Sequence, residues 1–458
     1  MLHESEFIAL NRFGLGARPG EADAISGRAH AWVIEQIKHG KADPVRGVQD
    51  TQTRLHGLDA YRRAKAAADK AEAAAVAAGK PTAPPQPNAN KPPSPLDDSP
   101  NKIFDTDLSR RAEQMIASDT PLIERLAAFW SNHFAISATR DEINVLAIPY
   151  ENEAVRPFLF GSFRDMLGAT ATHPAMTVYL DAASSVGPDS LFGARRHKSI
   201  NENYAREVME LHTLGVNGGY SQKDVDELAL VLTGLGVDAA DGESAWFFDR
   251  HEPGPRTLLG HTLAEGANQP QAAFDILANH PSTIRHVATK LAVHFCGDRP
   301  PRSVVQRLSH TWRGSGGNLT VIYLALAASP EAWVTHAVKY RTPQDFVLAA
   351  ARALDLRGHG RALLSEMRFL GQSPFRAPAP TGWSDADSDW LDPAGAVARV
   401  ETALRLAAMA HAQTDATDML AQAAYVTGGA DVLDVVAEEP DQHRAIALVL
   451  ASPEFQRR

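Results

Sequence analysis

The sequence predicts an all-α protein: a large multi-helix globular domain with a disordered Ala/Lys- and Pro-rich insertion. Three observations predict it. Apolar residues recur at helical spacing in Ala-, Leu- and Arg-rich windows of about ten to eighteen residues. Gly and Pro punctuate the ends of those windows. Strand-like segments are scarce, with Ser244–Asp249 the best short candidate.

The first helix spans Glu6 to Phe13 and stops at Gly14-Leu15-Gly16, with Pro19 behind it. A second covers Glu21 to His39, anchored by Trp32, Ile34 and Ile37. Asp59 to Ala78 is built almost wholly of Ala, Lys, Arg, Glu and Asp, which favours helix but offers little to bury. Gly79 to Pro100 holds eight prolines and reads as a flexible, extended linker. The chain therefore divides into N-terminal helices (1–58) docked on the main domain, the insertion (59–100), and the main helical domain (101–458).

Within that domain, Thr120 is placed to cap a helix with Pro121 in its first turn, running through Trp130, Asn132 and His133. Ser221 and Asp224 form a capping-box pattern for a helix over Val225 to Leu232. That helix makes an αα-hairpin with the run before it. His280-Pro281 opens the helix that carries Cys296. Leu319 to Ala328 is apolar and helical, and Ser329-Pro330 starts another helix. The segment from Gly371 through Trp383 to Trp390 is a loop rich in Pro and aromatics. It reads as packed and Ω-like, or as one wall of a pocket.

Composition excludes several classes. At 458 residues and 44% hydrophobic content the chain can bury a large core. No apolar run is long enough for a membrane span. A net charge of −10 argues against general nucleic-acid binding. The single Cys296 excludes an internal disulfide and a cysteine-rich metal centre, and its apolar neighbours mark it as a core thiol. The acidic, polar N-terminus shows no signal peptide, so the expected compartment is cytoplasmic.

The densest polar text is Asn201 to Thr213. At about 100° per residue, Asn203, Arg206, Glu207 and Glu210 share roughly a third of the helix circumference, beside Leu211 and Leu214. His212 falls on the other side. Such a group is either a ligand site or a buried ion-pair network, because buried charge must be paired. His133 between aromatics reads as a core histidine or as a partner of the cluster. His251-Glu252 is either an exposed turn or a second contribution to it.

Asn11-Arg12-Phe13-Gly14-Leu15-Gly16, Phe129-Trp130-Ser131-Asn132-His133-Phe134, Asn201 through Gly215, Leu232-Thr233-Gly234, His280-Pro281-Ser282-Thr283 and Gly371-Gln372-Ser373-Pro374-Phe375 with Gly382-Trp383 occur in this order. Together they resemble the bacterial "domain of unknown function 1800" family across nearly the whole chain outside the insertion. The resemblance implies a largely helical fold and supplies no agreed reaction. It also implies that members often carry a twin-arginine-type export signal and lie beside genes for a sulfatase-like family, a candidate partner. No such signal is visible here. Ser131 stands where many members carry His, and Leu235 where Trp is usual.

Two functional expectations follow. The first is an acid/base hydrolase acting on a carbohydrate-like substrate. Glu207 and Glu210 would be the working carboxylates, with Arg206, Asn203 and His133 around them. Trp130, Asn132, Asn201, His212, His251 and Trp383 would contact substrate. A divalent metal could join through Glu207, Glu210 and His133 or His251, and oxygen-rich ligation suits magnesium, calcium or manganese. The second is a non-catalytic partner or scaffold protein in which the cluster is a structural ion-pair network.

Overall fold

Helix-forming text with few strand signals gives the expected result: among the described residues helices dominate, and the named strands form two small antiparallel ribbons. The computed structural model describes residues 4–78, 98–196, 200–238, 242, 244–334, 339–411, 414–423 and 430–458. The Pro-rich stretch lies almost wholly outside the described residues.

The centre is built from three helices, Pro100–Ala117, Pro121–His133 and Asp141–Tyr150. The second is buried along nearly its whole length, and Trp130 is fully enclosed with its indole N–H donated to Tyr323 Oη at 2.6 Å. Pro121 opens this helix as expected, but the Thr120 side chain does not cap it. Ser118 Oγ instead accepts from the Thr120 N–H at 3.1 Å. Pro149, which lacks an N–H, sits near the end of the third helix, and a wide π turn follows at Glu151–Val155. That turn lies buried against the second helix.

The N-terminal segment packs onto this centre. Phe13 stacks between Phe295 and Trp333 at 5.5 and 5.0 Å, and Arg12 donates to the Ala332 carbonyl at 2.7 Å. The Thr51–Ala77 helix is capped by Asp50, which accepts from the Thr53 N–H at 2.8 Å. It buries Thr51, Arg54, Gly57 and Leu58, and its Ala/Lys-rich end is exposed.

The Ser221/Asp224 capping box is present in both directions, and the hairpin it starts packs as the sequence predicts. The strand candidate is realised at Ser244–Trp246, paired with Leu235–Val237. The Pro281–Cys296 helix buries Ile284, Val287, Leu291 and Phe295 on one side. Its other side carries His286, Lys290 and His294, one helical turn apart. Cys296 is a buried thiol pushed up to about 11 by burial. No helix among the described residues is long and apolar enough to cross a membrane.

Candidate functional site

One face of the Pro121–His133 helix closes an ion-pair network. Glu124 receives both terminal nitrogens of Arg156, at 3.1 and 2.7 Å. Glu151 sits behind it, fully buried. It accepts from Arg156 at 2.8 Å, Arg111 Nε at 2.8 Å and Ser131 Oγ at 2.8 Å. Burial alone would raise the Glu151 carboxyl, but the two guanidiniums and the Ser131 hydroxyl hold it down at about 2.

A cavity of about 350 Å³ opens beside Phe129, Asn132 and His133 of the same helix. The second wall is Lys290 and His294 from the Pro281–Cys296 helix. The third is the late loop, from Pro374 and Phe375 to Trp383 and Asp385, with Asp345 at the edge. The loop is pinned by Asn132, which donates to the Trp383 carbonyl and accepts the Trp383 N–H, both at 2.8 Å. Gly382 is required at this seam. Its φ is +79°, and a Cβ would lie 2.4 Å from the Asn132 carbonyl oxygen.

The cavity groups are incompletely paired. His294 Nδ1 lies 3.0 Å from Asp385 Oδ2, and its Nε2 has no partner among the described residues. The carboxylate can only accept, so Nδ1 carries the proton and Nε2 is a bare acceptor. Burial lowers His294 more than Asp385 raises it, so the ring is neutral at pH 7. His133 Nε2 lies 3.1 Å from the His212 carbonyl and must donate to it, which leaves Nδ1 as an unpaired buried acceptor. Lys290 has no hydrogen-bond or ion-pair partner among the described residues. Burial brings its ammonium down to about 8, only partly offset by the charge of Asp385.

The polar run at Asn201–Thr213 is divided by the fold. Asn201 is an N-cap: its Oδ1 accepts the Tyr204 N–H at 3.2 Å, and its Nδ2 donates to the Leu180 carbonyl. Asn203 is exposed. Arg206 lies 3.6 Å from Glu210 and 3.9 Å from Glu202, on a half-exposed face, and donates to Gln222. Glu207 and Glu210 are partly exposed rather than buried. Glu210 accepts the Tyr220 hydroxyl at 2.6 Å. Burial, and then the charge of Glu210, raise the Glu207 carboxyl. A π turn at Val208–His212 ends the run and turns His212 inward. There it is fully buried, both ring nitrogens lack partners, and burial lowers it to about 3.

His133 therefore approaches the buried back of this run, with its ring 6.4 Å from that of His212. His251 Nδ1 lies 2.9 Å from the Thr233 carbonyl, and Glu252 accepts the Asp189 N–H, so both serve a loop junction. Trp130 is sealed in the core, whereas Trp383 lines the cavity. Among the described residues no three His, Cys, Asp or Glu side chains are placed to hold one metal ion, so the metal-bound arrangement of Glu207 and Glu210 with His133 or His251 has no geometric support.

Sequence reasoning missed Lys290, His294 and Asp385. One signal was available: His286, Lys290 and His294 interrupt an apolar helix at successive turns, a pattern a core helix does not need. No local signal could pair His294 with Asp385, 91 residues later.

No curated protein and no solved structure matches the chain. Residues 8–457 match the family model described as "Protein of unknown function (DUF1800)". That span takes in the N-terminal helices, the core and the cavity alike, and the chain belongs to this family.

Proposed function

We propose that the protein is a hydrolase whose site is the cavity between the Pro121–His133 helix, the Pro281–Cys296 helix and the late loop, acting on an ester of a carbohydrate-like substrate. The observation that carries this reading is the His294–Asp385 pair. A carboxylate that fixes one ring nitrogen and leaves the other bare orients a general base. His294 Nε2 takes a proton from water, and the water oxygen bonds to the ester carbonyl carbon. The alcohol then leaves and takes that proton back from the ring. Trp383 offers an aromatic wall for a sugar ring. The exposure of Glu207 and Glu210 and their distribution of partners favour His294 over them as the proton carrier.

The test is turnover of a panel of 4-nitrophenyl esters, acetylated sugars and 4-nitrophenyl glycosides. His294→Asn keeps a donor to Asp385 but removes the base, so ester turnover falls by at least about 100-fold. Glu207→Gln leaves it unchanged. Turnover of glycosides alone, or equal turnover by wild type and His294→Asn, overturns the reading.

One observation favours the second reading, a non-catalytic partner protein. Val397, Val400 and Leu404 form an exposed apolar stripe on the Pro393–Ala407 helix, with Leu391 just before it. Pull-down of a sulfatase-like protein by the wild type, abolished by Val400→Glu with Leu404→Glu, would support it. Equal capture by the double variant would remove it.

A further inference from the structure

The cavity contains a cation that the described residues answer only in part. Lys290 lines it with no ion-pair or hydrogen-bond partner among the described residues. Its neighbours supply a counter-charge only in part, through Asp385. His286 and His294, one turn to either side, and His133 across the cavity are neutral or cationic, never anionic. Asp385 is engaged by His294 Nδ1 at 3.0 Å and lies 4.0 Å from Lys339 Nζ. Asp345 is held by Arg125 at 3.2 Å and by Arg458 at 2.9 Å. Arg111, which also lines the cavity, is matched by Glu151.

The adjacent network makes this omission informative. Around Glu124 and Glu151 buried charge is answered with charge from Arg111 and Arg156. A half-buried ammonium with no ion-pair partner among the described residues, beside open space, is placed to take a counter-ion from outside. We propose that Lys290 is the anchor for an oxyanion on the ligand, a carboxylate or a phosphate, so that the substrate of this cavity is a small anionic molecule. The inference rests on the cavity being the ligand site. It adds the charge of the ligand and the residue that reads it. Burial lowers the ammonium to about 8, so it is still charged at pH 7, and a bound anion would raise it.

The experiment is calorimetric titration of the full chain with acetate, inorganic phosphate, glucuronate, glucose 6-phosphate and, as the neutral control, glucose. Wild type binds at least one anion and binds glucose more weakly. Lys290→Met weakens that anion by at least about 30-fold, as loss of one partner of a desolvated charge pair does. Lys290→Arg retains most of the affinity. Thermal melting of each variant checks that it folds. Preference for glucuronate or for glucose 6-phosphate decides between carboxylate and phosphate, and either result supports the proposal. Equal anion binding by wild type and folded Lys290→Met overturns it, as does tighter binding of glucose than of every anion. Failure of the hydrolase reading looks different: anion binding that depends on Lys290, with no ester turnover that depends on His294.

Discussion

Glu124 and Ser131 look out from one face of the Pro121–His133 helix, and Phe129 and His133 from the other. Behind the first face Glu151 and Arg156, both almost inaccessible, exchange charge-assisted hydrogen bonds with Glu124, Arg111 and Ser131. Beside the second face lie a lysine with no hydrogen-bond or ion-pair partner among the described residues and two histidines each with one enclosed, unpaired ring nitrogen. The charges of the first side are buried and paired, whereas Lys290 and His294 are half-buried and incompletely paired. Unpaired polar groups in a folded interior cost free energy, so they persist where something else, such as a ligand, completes them. The comparison separates a structural charge network from a candidate site without appeal to any motif.

The largest test of the contrast is Glu151→Gln. It removes the charge that faces both Arg111 and Arg156, and should destabilise the fold by about 3–5 kcal/mol in urea unfolding. A loss under about 1 kcal/mol would mean the network is not structural.

Acid comes next. His133 and His212 are buried and lowered, His212 to about 3 against 6.5 when unfolded. Below pH 6.5 the unfolded chain therefore holds more protons than the folded one. The contribution of these rings is complete above pH 6.5 and is lost as pH falls. The slope is about 1.4 kcal/mol per pH unit for each ring. Glu151, held at about 2, weakens only as pH falls from 4.5 towards that value, so unfolding between pH 6.5 and 5 isolates the histidines. His212→Leu should flatten that slope, and an unchanged slope would place the protons elsewhere.

Lys290→Met should leave stability unchanged or raise it by about 1 kcal/mol, since it removes an unanswered charge. A clear fall in melting temperature would show a partner for Lys290 and erase the contrast.

Glu207→Gln is expected to be the smallest effect, within about 0.5 kcal/mol, because its carboxylate is partly exposed. Its raised carboxyl means that the charged form is disfavoured in the fold, so the sign should be neutral to slightly stabilising at pH 7. A loss near that of Glu151→Gln would return Asn201–Thr213 to the centre of the molecule.

Local chemistry was readable from the residues. The Ser221/Asp224 capping box, the Pro121 and Pro281 helix starts, the ribbon strand at Ser244–Trp246 and the buried Cys296 all depend on neighbours within a few positions. So does the all-α class, which rests on the spacing of apolar side chains. The candidate site is different. Helical projection puts His212 opposite Glu207 and Glu210, and the structure agrees; that His212 is enclosed and the carboxylates are partly exposed follows from packing around the π turn at Val208–His212. His294 meets Asp385 across 91 residues, where the late loop is pinned by Asn132 from a third segment. Periodicity determines which side of a helix faces inward. Which charged groups then find partners depends on segments far apart in the chain, and only their packing leaves Lys290 unanswered.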